Sequence, residues 1–163
     1  MREISPKEFD KSAFKLTTNM LVTAEKDGKA NTMTAGWGGL GDIWNKDAAF
    51  IFIRPQRYTR EFLDDADTFS LTFFSPDFNP QMKYLGTVSG RDEDKITKAG
   101  LTLEHIDGTP TFKEAEITII CKKLYKQQLE SHCFEDPDFD AKWYPQKDYH
   151  YMYIGEVTKL LVK

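Results

Sequence analysis

Met20-Leu21-Val22-Thr23-Ala24-Glu25-Lys26-Asp27-Gly28-Lys29-Ala30-Asn31-Thr32-Met33-Thr34 is the stretch on which the fold class turns. Two β-prone runs flank Asp-Gly, a dipeptide that readily takes up the positive φ angles of a tight turn, so the stretch reads as a β-hairpin. Downstream, Ala48-Ala49-Phe50-Ile51-Phe52-Ile53 is short, apolar and stopped by Arg54-Pro55, which marks a buried strand. Thr59 to Ala66 reads as a short helix with Thr59 at its N-cap, and Phe69 to Phe74 as the next strand. Asn79 to Leu85 suggests a turn or two of helix. Asp92 to Ala99 suggests another, with Asp92 as cap and Gly100 as stop.

Two longer strands follow, Glu116 to about Glu130 and Tyr149 to Val162. Between them 131–148 carries two prolines, acidic residues and Trp143, and reads as a surface excursion. Six or more strands with short helices between them imply a mainly β chain, an antiparallel barrel with helical insertions. No linker, repeat or composition break divides it, so a single domain over 1–163 is expected.

Aromatic residues make up 13% of the chain, which suits a packed β-rich core and argues against disorder. The formal net charge of −4 is spread along the chain, so nucleic acid and anionic membrane are poor partners and any anion site must be a local basic cluster. The N-terminus lacks the apolar core of a signal peptide, and no window approaches the roughly 20 apolar residues of a membrane span. A cytoplasmic protein without disulfides is expected.

Four stretches carry chemistry. Asn31 to Gly41 runs from a strand into four glycines within six positions, 36–41, which suits a flat heterocycle lying against backbone N–H groups, although the glycines taken alone favour a flexible strand-to-loop transition around Trp37. Arg54-Pro55-Gln56-Arg57-Tyr58-Thr59-Arg60 packs three arginines into seven positions of an acidic chain. Such a turn suits a phosphate, and it also suits a solvated loop paired to Glu61 or Asp64. In Ser89-Gly90-Arg91-Asp92-Glu93-Asp94-Lys95, Lys95 can face a ligand or pair with a neighbouring acid. His150 opens the aromatic run of the last strand. The histidines and cysteines have no zinc spacing, and no GxSxG, P-loop or GxGxxG is present, so a metal site, a hydrolase and a dinucleotide fold lack support.

Taken in order, these segments resemble the flavin reductase-like FMN-binding split-barrel family, which includes flavoredoxin and the small reductase components of two-component monooxygenases. The resemblance covers roughly residues 10–160 and implies an antiparallel split β-barrel that forms a homodimer, with FMN near the subunit interface. It implies that Arg57 and Thr59 hold the phosphate with Arg54 and Tyr58 close by. Thr32, Met33 and Thr34 would line the flavin ring, chiefly through backbone groups, and Ser89 and Lys95 would lie on the ribityl and phosphate side. The implied activity is that of an NAD(P)H:flavin oxidoreductase, with hydride passing to the flavin, electrons passing to a downstream acceptor, and His150 as the candidate catalytic residue near the nicotinamide. The alternative within the family is an FMN-binding electron carrier like flavoredoxin, with no NAD(P)H turnover of its own. One departure stands out: Lys147-Asp148-Tyr149 precedes His150 where many members have a short Gly-Asp approach.

Overall fold

The computed structural model describes residues 1–9 and 20–163; the start of the family resemblance, 10–19, lies outside the described residues. The expected hairpin forms, with β2 (Met20–Lys26) antiparallel to β3 (Lys29–Ala35). Asp27 and Gly28 turn it at φ 51° and 73°, the left-handed pair that a two-residue hairpin loop needs.

A short β1 (Arg2–Ile4) precedes this hairpin, and β4 (Gly38–Ile43) and β5 (Lys46–Ile53) follow it. Then come α1 (Thr59–Asp65), β6 (Thr68–Phe73), α2 (Asn79–Thr87) and the single turn α3 (Lys95–Lys98). The chain continues through β7 (Leu103–Ile106), β8 (Thr109–Phe112), β9 (Ile117–Gln128), α4 (Pro137–Trp143) and β10 (Tyr151–Val162). The main sheet is antiparallel, in the order β3-β2-β6-β9-β10-β5-β4, with β1 on the far end of β10. The fold is the mainly β split barrel with few short helices.

Long β10 is the hub. It pairs with β9 along its length, with β5 through Tyr151–Glu156 and with β1 through Leu160–Val162. Register shifts at Ile154/Gly155 and Val157/Lys159 add local twist, which lets one strand serve partners at both ends of a curved sheet. Burial explains the apolar runs. Along β2, Met20 and Val22 face the main core with Ile51, Ile53, Leu71 and Tyr153. Leu21 faces the other way, into a second cluster with Leu85, Leu101 and Phe112 under α2. Both faces of β2 are covered, so its sequence is continuous rather than alternating. Each such buried side chain contributes about 1.5–3 kcal/mol.

The structure departs from the sequence reading in four places. The glycine-rich stretch continues as strand β4, paired with β5 from Gly38↔Ile51 to Ile43↔Lys46. A hairpin of β7 and β8, turned at Asp107-Gly108, occupies a stretch the reading leaves unassigned. The helix expected over Asp92–Ala99 shrinks to α3, capped by Asp94 rather than Asp92, through Oδ1 accepting from the Thr97 N–H. The 131–148 excursion contains α4 and buries Asp140 and Tyr144, so it is part of the packed structure. No helix among the described residues is long and apolar enough to cross a membrane.

Gly155 lies where β10 crosses the core, and a Cβ there would stand 2.8 Å from both the Cys121 Cβ and the Phe69 ring. Gly155→Ala is therefore expected to lower stability by about 1–3 kcal/mol, as overpacking does. Urea unfolding of the two proteins measures it.

Candidate functional site

A cleft runs from the start of α1 along β3 to His150. Its first part, about 220 Å³, is lined by Met33, Arg57, Tyr58, Thr59, Ser89 and Lys95. Its second part, about 360 Å³, shares Met33 and Arg57 and continues past Thr34, Trp37, Phe52 and His150. Thus residues from 33–34, 54–59, 89–91, Lys95 and His150, far apart in sequence, meet along one surface, while Thr32 lies beneath it.

The first part is electropositive. Lys95 is buried, and its ammonium donates to the carbonyls of Leu85 and Val88 at 3.1 and 3.0 Å. Arg57 donates to the Gly86 carbonyl at 3.4 Å. Both cations therefore rest on the C-terminal end of α2, where unsatisfied carbonyls and the helix dipole favour positive charge. Among the described residues no carboxylate lies within ion-pair distance of either. Burial, with the nearby Arg57 charge second, brings the Lys95 pKa down to about 8. Burial also draws Arg57 below its ordinary value. Two partly desolvated cations with no acid between them among the described residues have the electrostatics that suit an anion.

Asn31 ties this end together. Its Nδ2 donates to the Thr59 hydroxyl oxygen at 2.9 Å, which leaves the hydroxyl hydrogen to turn toward the cleft. On its other side stands Gly90, where a Cβ would lie 2.1 Å from the Asn31 Oδ1, so only glycine lets the 89–91 turn come this close. Thr59 is inside α1 rather than its cap: Tyr58 holds the N-cap position and no side chain caps the helix. Ser89 Oγ accepts the Arg91 N–H at 3.2 Å, and the Arg91 guanidinium lies 4.5 Å over the Tyr58 ring while pairing with Glu61.

Arg54 is turned elsewhere. It pairs with Asp148, donates to the Trp143 carbonyl at 3.2 Å and stands over the Tyr144 ring, while Gln56 also donates to Asp148 at 3.0 Å. Its charge fastens the 131–148 excursion to the turn. Thr32 is fully buried and hydrogen-bonded to Thr23 at 2.9 Å, so only its backbone can serve a ligand. Among the described residues β3 pairs with β2 alone, so every second residue of β3 directs its N–H and C=O away from the sheet.

At the far end His150 is buried, stacked on Trp37 at 4.6 Å, and hydrogen-bonded through Nδ1 to the Tyr144 hydroxyl at 2.9 Å. Burial, helped by the Arg54 charge and opposed by Asp148, lowers its pKa to about 4, so the ring is neutral at pH 7. Sequence reasoning assigned no role to Asn31 or to the aromatic group Phe134, Phe139, Tyr144 and Tyr149. The available signal for the latter was aromatic density within 134–149, masked by the acids between them.

A family model described as flavin reductase like domain matches residues 16–163. Among solved structures, flavoredoxin from Methanosarcina acetivorans is 23% identical with a TM-score of 0.68, over 88% of this chain and 67% of that one. An FMN-binding domain of a flavin reductases-like enzyme from Shewanella baltica is 19% identical with a TM-score of 0.71, over 98% of this chain and 75% of that one. A split-barrel protein assigned as a flavin reductase from Shewanella frigidimarina is 18% identical with a TM-score of 0.69, over 88% and 65%. At these identities the structures speak for the fold. No curated protein matches the chain.

The charge on Lys95 gives a pH test. A phosphate monoester is already dianionic near pH 7, with its second pKa at about 6. Lys95 is largely charged at pH 7 and largely neutral at pH 9. Affinity for the monoester is therefore expected to fall about tenfold between those values. Calorimetric titration at the two pH values checks it, and Lys95→Met should flatten the difference.

Proposed function

The chain belongs to the flavin reductase-like domain family, and from that premise we propose that it binds FMN and works as an oxidoreductase that draws electrons from NAD(P)H. One observation carries the reading. Among the described residues Arg57 and Lys95 share a pocket with no carboxylate partner, at one end of a cleft whose other end follows β3, a strand with no second neighbour in the described sheet. A molecule with a phosphate at one end and a flat hydrogen-bonding ring at the other matches both ends.

In this reading Arg57 and Lys95 neutralise the phosphate, and the Thr59 hydroxyl, already accepting from Asn31, donates to it. Ser89 adds a hydroxyl beside the linking chain, and Tyr58 forms the wall. Met33 and Thr34 line the ring, with the Thr32, Met33 and Thr34 backbone giving it hydrogen bonds. Arg54, bound to Asp148, acts on the phosphate only through long-range charge and holds the excursion. Bound FMN would supply the redox chemistry, taking electrons from a nicotinamide and giving them to an acceptor. The protein's part is to orient both molecules and to control water.

Access supports turnover over simple carriage. Trp37, at the ring end, is 41% exposed, and the excursion lines a hollow beside the cleft instead of filling it. A second reactant therefore has a way in. His150, neutral and fixed by Tyr144, can offer one hydrogen bond to an incoming amide but no positive charge. The family resemblance also supports a homodimer with FMN near the subunit interface.

Arg57→Ala is expected to weaken FMN binding by about 1.5–3 kcal/mol, one to two decades in Kd, as loss of a charge-assisted contact does. Flavin fluorescence titration measures it, and unchanged affinity removes Arg57 from the site. Oxidation of NADH or NADPH by protein plus FMN is expected to outpace free FMN alone. If FMN binds yet the rates match, the chain is an electron carrier.

A further inference from the structure

We propose that the hollow between α4 and the β3–β4 corner is a binding site for an uncharged aromatic molecule of about two fused rings. Trp37 and Phe52 form one wall, and Phe134, Phe139, Trp143 and Tyr144 the other, around about 510 Å³. That volume is within the roughly 300–1,000 Å³ of small-molecule sites, and concave walls from a helix and a sheet corner suit a small ligand better than a protein face. Trp37 and Trp143 meet edge to face, 5.4 Å apart at 81°, and Phe139 tilts against Trp143 at 6.1 Å. Rings so arranged offer both faces and edges to a third ring. Phe139 (51%), Trp37 (41%) and Trp143 (38%) are among the most exposed large apolar side chains of the described residues, and all three line this one hollow. Such clustering marks a place where apolar surface is meant to be covered.

Charge narrows the class. No charged side chain lines the hollow. Of the ions nearest it, Arg54 is paired with Asp148 and Lys147 with Asp140, while Lys142 is exposed to solvent and stands 5.7 Å over the Trp143 ring. An ionic ligand would lose water and gain no counter-charge from the lining, only that of a solvated lysine at its rim, whereas an uncharged ring loses only hydration that favours its burial. The hollow shares Gly36, Trp37 and Phe52 with the ring end of the cleft, so its occupant would stand beside the flavin. That bearing on the reaction rests on the FMN reading; the pocket itself does not.

A matched pair of probes tests the proposal, 2-naphthamide and 2-naphthoate, which share a ring system and differ in charge. In calorimetric titration of the full chain the amide is expected to bind at least about tenfold more tightly than the carboxylate. Trp143→Ala and Phe139→Ala should each weaken the amide at least about fivefold while FMN affinity stays unchanged. Phe139 is half exposed on α4, so its variant keeps the test readable if Trp143→Ala fails to fold. Equal binding of the two probes, amide binding indifferent to both substitutions, or no saturation up to the solubility limit overturns the proposal. Self-association of the chain that excludes the amide also overturns it, by giving the hollow to a second copy. Absence of FMN binding in the unaltered chain refutes the flavin reading alone, because the amide titration is scored separately.

Discussion

Taking an ammonium ion out of water costs several kcal/mol unless other groups replace its hydration. Lys95 meets that constraint with two carbonyls at the end of α2, a third carbonyl from the same end holds Arg57, and no acid intervenes among the described residues. A carboxylate there would satisfy the lysine and cancel the site. Carbonyls hold the cation in place while leaving its net charge to be matched by something else. The rest of this end of the cleft follows from where α2 stops. Leu85 is locked under β2 in the second core cluster, and a Cβ on Gly86 would lie 2.6 Å from the Thr34 hydroxyl, so helix and strand pack at close range. Asn31 then links strand and α1 through its hydrogen bond to Thr59, with the 89–91 turn packed closely against it at Gly90.

Arg54 and Arg57 show how three positions decide a role. Both belong to the turn after β5, yet Arg57 reaches toward α2 and meets no acid among the described residues, while Arg54 reaches back to Asp148 and the Trp143 carbonyl. In the proposed reading one arginine serves the ligand, while the other serves the architecture. By fastening 131–148, Arg54 sets the far wall of the ring end, where Tyr144 orients His150 and His150 supports Trp37. The departure from the family pattern before His150 thus has a structural content: Asp148 is the anchor of the excursion.

What could be read from the chain depended on range. The β2–β3 hairpin was legible because its turn and both strands are local, and β5 because an apolar run met Arg54-Pro55. Arg57, Thr59, Ser89 and Lys95 were grouped by motif order, and the structure brings them to one pocket. Strand β4 was not legible, since three of its six residues are glycine and its pairing with β5 supplies what its own propensity lacks. The role of Asn31 depends on contacts 28 residues and more away, and the partner of Arg54 lies 94 residues downstream. The Asp107-Gly108 turn carried the same local signal as Asp27-Gly28 and could have been read.

The central claim is that buried Lys95 and half-buried Arg57 read a phosphate at the end of a flavin-shaped cleft. FMN and riboflavin differ only in that phosphate, so their Kd values for the purified chain, measured side by side at pH 7, test it most directly. The account predicts that FMN binds at least about a hundredfold more tightly, the contribution of two charge-assisted contacts. Equal affinity for the two flavins would contradict it.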